Sequence, residues 1–198
     1  MRFAIIPLAA IAFVAISCSL SSLTGDEKNP DFVPVVINDE YSIDIPSYMT
    51  KTTLLNDDAS LQFQNVIKET YVIVIDESKQ EFIDALVEAD MYDSARSILM
   101  NYADTQLGFT TSAMDVIAQK ALTKLKIHGL SAAKTELDGA VEGIKVPISY
   151  FVTFIEGEEK LYMVMAWTLQ ERKERFNATF EKIARTFKLV KNKPVALN

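Results

Sequence analysis

The sequence predicts an α+β fold in which helices pack on a mainly antiparallel sheet. Three observations carry this. The hydrophobic period runs from strand-like to helix-like, back to strand-like, and ends helix-like. Two long alternating stretches, Ile148 to Ile155 and Leu161 to Trp167, flank the acidic glycine-containing turn Glu156-Gly157-Glu158-Glu159 and read as a hairpin. Phe176, Phe180, Ile183 and Phe187 then recur at helical spacing, so the chain closes with an amphipathic helix over about 173–187.

The chain has 198 residues, 49% hydrophobic and 24% charged, a balance that supports one folded domain over 40–190. Its first seventeen residues are distinct. Arg2 precedes an apolar run from Phe3 to Ile16, too short for a bilayer span of about 20 residues, and the pattern predicts a secretory signal. The run ends Ala15-Ile16-Ser17-Cys18, which resembles the lipobox of bacterial lipoproteins, with Ala15 where leucine is usual. That resemblance implies cleavage before Cys18 and acylation of its thiol and freed amine, with the bilayer as the first partner. Each buried methylene contributes about 0.8 kcal/mol, so several acyl chains hold a protein durably. In diderm lipoproteins an Asp after the cysteine tends to keep the protein in the inner membrane, so by the same resemblance Ser19 implies the outer membrane, with its periplasmic face the expected site. Cys18 is the only cysteine, so no internal disulfide or thiolate zinc site can form.

Residues 18–39 read as a tether: serines, Gly25, the charged Asp26-Glu27-Lys28, then Pro30 and Pro34. Tyr41, Ile43 and Ile45 alternate with polar residues and predict a strand stopped by Pro46. Leu61 and Phe63 predict a second. Tyr71-Val72-Ile73-Val74-Ile75 is unbroken and predicts a central strand covered on both faces. Ser78 with Glu81 three residues later matches a capping box, so a helix should start at Lys79. A second helix is expected over 94–107, ending before Gly108, and a short third from Ser112 through Val116, Ile117 and Ala121. Strands follow at 123–128 and 130–137, punctuated by Gly129 and Gly139. The tail 191–198 is expected to fray.

Several functions are excluded as motifs. The formal charge is −7, or −8 without residues 1–17, which carry Arg2 and no acid; nucleic acid and anionic lipid headgroups would be repelled at long range. There is no P-loop, no H-E-x-x-H, no G-x-S-x-G and no dinucleotide-binding glycine pattern. His128, the only imidazole, lies at a strand end and reads as an edge residue without a catalytic task. The acid pairs Asp57-Asp58, Asp76-Glu77 and Glu158-Glu159 sit in turns, where neighbouring side chains diverge and stay solvated. The reading is non-enzymatic, with no cofactor and no metal.

The strand Tyr41-Ser42-Ile43-Asp44-Ile45-Pro46, the segment Ile127-His128-Gly129-Leu130-Ser131-Ala132, the late hairpin and the closing Phe180-Glu181-Lys182-Ile183-Ala184-Arg185-Thr186-Phe187-Lys188 together resemble the PsbP-like family, which has bacterial lipoprotein members such as DcrB. Tyr41 stands where phenylalanine is common and Thr186 where serine is usual. The resemblance spans about 40–188. It implies an α/β/α sandwich around a mainly antiparallel sheet, and an accessory or binding role with no catalytic residues to carry over. The expected function is an envelope lipoprotein that binds another envelope protein, the alternative being a carrier of a small apolar ligand or lipid. The candidate binding surface is the aromatic and methionine content of the hairpin: Tyr150, Phe154, Tyr162, Met163, Met165 and Trp167.

Overall fold

The computed structural model describes residues 30–190; the signal, Cys18, the tether up to Asn29 and the tail from 191 lie outside the described residues. Among the described residues, every strand pair is antiparallel. The main sheet is built from β3 (Thr50–Lys51), β4 (Ala59–Asn65), β5 (Thr70–Ser78), β6 (Asp115–Gln119), β7 (Thr123–Ile127), β8 (Leu130–Ala140), β9 (Ile148–Glu156) and β10 (Lys160–Leu169). Its spatial order is β3-β4-β5-β10-β9-β8-β6, with β7 also on β8. A small sheet holds β1 (Phe32–Ile37), β2 (Tyr41–Pro46) and β11 (Lys188–Leu189) in the order β1-β2-β11.

The hairpin and the unbroken apolar run form the centre as expected. β10 pairs β9 along its length and β5 on its other side. Alternate residues of β5 then feed two separate cores. Tyr71, Ile73 and Ile75 face α1 (Lys79–Glu88) and α2 (Ile98–Ser112). Val72 and Val74 face α3 (Lys173–Thr186) and β2. Burying an aliphatic or aromatic side chain is worth about 1.5–3 kcal/mol, and two cores double the yield of each central strand. The result is an α/β/α sandwich with the small sheet beside α3. Ser78 caps α1 as its spacing predicts, its hydroxyl accepting from the Glu81 N–H at 3.3 Å.

Four expectations are corrected. Phe32–Ile37 is strand β1, so the predicted tether does not reach residue 39. Pro34 is tolerated because β1 is an edge strand and needs no donor on its outer side. Helix α2 starts at Ile98, capped by Ser97 accepting from the Met100 N–H, and runs through Gly108 to Ser112. Leu107 and Thr110 are buried, which carries the helix past the glycine. The expected short helix after Ser112 is strand β6, because β8 offers Val116 an edge to pair with; Val116 lies opposite Gly139. Gly139 itself is inside β8 rather than at a break. A Cβ there would lie 2.4 Å from Met114 Sδ, so glycine is what lets the α2–β6 connection close onto the sheet.

Candidate functional site

The hairpin side chains named as a binding surface are all interior. Phe154 and Met163 are fully buried, and Tyr150, Tyr162, Met165 and Trp167 nearly so. Five of them join the core under α1 and α2, while Tyr162 joins the core under α3. Trp167 stacks on Tyr71 with centroids 5.4 Å apart, and Phe154 meets Tyr102 edge-on at 5.8 Å. Tyr162 packs between Tyr41 and Phe187. The physical reason is symmetrical: a strand covered on both faces has no side left for a ligand, and the sequence pattern of such a strand matches that of a one-sided aromatic groove. Burial also pushes the Tyr150 phenol above its ordinary value.

His128 occupies the β7–β8 turn with Gly129; φ is 47° and 87° respectively, the pair of positive values a two-residue hairpin needs. Its Nδ1 lies 2.8 Å from the Phe187 carbonyl, so that nitrogen carries the proton and donates. The imidazole therefore ties the hairpin to the end of α3.

Three polar clusters are built into the sandwich. Beneath α2, the Gln106 amide donates to Glu77 at 2.7 Å, beside the buried Tyr102 phenol. Burial there raises the Glu77 carboxyl, with the nearby Tyr102 phenol and the Gln106 amide opposing it. At the start of α3, Asp138 accepts from Ser149 at 2.6 Å and from Lys173 at 2.9 Å. Burial works against that carboxylate, but the Ser149 hydroxyl and the Lys173 ammonium outweigh it and hold Asp138 below the usual range. At the opposite end of the sheet, Lys160 bridges Glu40 at 2.7 Å and Asp76 at 2.8 Å. Each cluster joins strand to strand or strand to helix, which is a packing task. Among the described residues no three His, Cys, Asp or Glu side chains converge as metal ligands.

Two spaces adjoin α3. Between the helix and the sheet, bordered by Phe151, Val164, Phe180 and Ala184, lies room for about 30 Å³, enough for roughly two waters. Beside the C-terminal end of α3, a more open polar cleft of about 380 Å³ is lined by Asp44, His128, Lys182, Arg185 and Lys188 among others. Exposed aliphatic side chains lie elsewhere. All five residues of β6 are exposed, including Val116 and Ile117. Val66 and Ile67, at the β4–β5 turn, are 63% and 84% exposed. Sequence reasoning missed both places. The signal was present for the second, since two aliphatic residues stand between Asn65 and Lys68 in a turn.

No protein-family model matches the sequence, and no curated protein matches it. Solved structures do. A cyanobacterial PsbP (CyanoP) from Synechocystis sp. PCC 6803 is 13% identical, with TM-score 0.53, covering 85% of this chain and 98% of that one. LpqN, involved in cell envelope biogenesis of Mycobacterium tuberculosis, is 9% identical, with TM-score 0.51, covering 81% of this chain and 91% of that one. At these identities the likeness is one of backbone, and it agrees with the layering described above. The chain has the PsbP-like α/β/α sandwich fold.

Proposed function

We propose that this protein is an envelope lipoprotein, anchored through acylated Cys18 at the periplasmic face of the outer membrane, whose domain is a non-enzymatic module that binds another envelope protein. The observation that carries the binding reading is the placement of apolar surface. Both faces of the central strands are consumed by packed cores, and apart from Val87 on α1 the exposed aliphatic residues lie on outer strands, turns and loops. Strand β6 is the most suitable, since an edge strand presents unpaired backbone groups that an added strand can satisfy. The roughly 30 Å³ between α3 and the sheet is far below the 300 Å³ or more of an ordinary ligand pocket, which counts against a carrier using that space. The described helices include none long and apolar enough to cross a membrane, consistent with attachment by lipid. LpqN, by its description, works in envelope biogenesis, and the shared fold adds modest support.

Two measurements test this. Intact mass of the membrane-purified protein is expected to show loss of residues 1–17 and addition of acyl chains, and Cys18→Ala is expected to abolish both the lipid and the membrane association. A Cys18→Ala chain that stays in the membrane fraction refutes the anchor. A photo-reactive residue in place of Ile117 is expected to capture one defined envelope protein in cells. Failure to capture any protein, with the chain expressed and folded, refutes the docking strand.

A further inference from the structure

We infer that the β4–β5 turn is a second membrane contact, with Val66 and Ile67 entering the lipid interface beside the acyl anchor. This rests on the lipoprotein reading of Cys18 for which bilayer is meant. The geometry of the turn stands independently of it.

The turn lies where the chain emerges from the domain. The described residues begin at Pro30, and the Asp31 carbonyl accepts from the Ser47 N–H at 2.8 Å. The next residue, Tyr48, offers its carbonyl to the Asn65 amide at 2.7 Å, and Lys68 lies over its ring at 5.3 Å. Chain start and turn are thus joined through two adjacent residues. Cys18 is twelve peptide steps before Pro30, a reach of at most about 40 Å, so the domain cannot leave the vicinity of an anchored lipid. The turn is also held in shape. The Lys68 N–H donates to Asn65 Oδ1 at 2.8 Å, Glu69 takes a φ of 53°, and Arg172 pairs with Glu69 at 3.1 Å while reaching the Ile67 carbonyl. Val66 and Ile67 therefore project from a clamped loop whose flanking charges are already paired within the domain, Arg172 with Glu69 and Glu171, so that the contact with lipid is an aliphatic one.

Charge orients the domain the same way. The β9–β10 turn, with Glu158 and Glu159, and the β1–β2 turn, with Asp39, stand at the other end of the sheet. β5 spans that separation, about 26 Å for nine residues. An anionic surface repels the acidic end and leaves the aliphatic turn facing lipid.

The test fixes the attachment chemically, so that it does not depend on native acylation. The chain from Cys18 onward is coupled through its only thiol to a maleimide lipid in vesicles of phosphatidylethanolamine and phosphatidylglycerol. A benzophenone amino acid replaces Ile67 in one sample and Glu158 in another, and lipid adducts are counted by mass after illumination. At least five-fold more adduct from position 67 than from position 158 is expected. Equal yields, or no adduct at 67, overturn the inference. Native acylation is judged separately by the intact mass described above.

Discussion

Glu77 shows how one buried side chain makes stability depend on pH. Burial raises its carboxyl above the ordinary value, so the folded state holds that proton more tightly than the unfolded chain does. The resulting contribution is complete below the ordinary carboxyl range and is lost as pH rises through the raised folded value. Glu77→Gln keeps an oxygen for the Gln106 amide and cannot ionise. Its thermal midpoint is expected to match the parent near pH 4 and exceed it at pH 7; a difference that stays constant across that range contradicts this account. Phe154, fully buried against Tyr102, tests the corrected view of the hairpin. Phe154→Ala is expected to cost about 3–5 kcal/mol in denaturant unfolding, the penalty for an aromatic cavity. A near-neutral effect would return the residue to the surface.

The elements divide by how local their causes are. Helix α1 starts where Ser78 and Glu81 say it should, because a cap acts within four residues. The turn of β7 and β8 is equally local, set by two residues with positive φ. Strand β6 is not. Val116 and Ile117 fit a helix or a strand, and the open edge of β8 decides between them. That edge is available to β6 because Gly139 makes room for Met114. Gly139→Val is therefore expected to displace β6, seen as faster amide exchange at 115–119 with little change in β9 and β10. Unchanged protection there would show that β6 does not depend on this close approach.

Across the whole molecule, two cores share one sheet, and the ion pairs tie the layers together. Asp138 on β8 holds Lys173 at the start of α3, with both side chains mostly buried. Asp138→Ala removes the nearer of two carboxylates around that ammonium, leaving Glu136 at 3.4 Å, and also takes the acceptor from Ser149, so it is expected to destabilise the domain by about 1.5–3 kcal/mol at pH 7. Because the Asp138 value is lowered in the fold, its contribution is present above the ordinary carboxyl range and lost as pH falls through the lowered value, so the gap between variant and parent should narrow in acid. The same layering bears on function. Closed faces leave the edges and the turns as the molecule's outward chemistry, and the ends of the sheet differ, one aliphatic beside the emerging chain and one acidic.

Period and local chemistry were enough to read the α+β class, the central strand at 71–75, the late hairpin, the capped helix at Lys79 and the closing helix from the amino acids alone, because each depends on neighbours within a few residues. Tertiary structure alone decided which side of each strand is buried, whether 115–119 pairs or coils, that Pro34 sits in an edge strand, and that Trp167 and its neighbours are core. These depend on partners tens of residues away, and alternation records that a face is covered without recording what covers it.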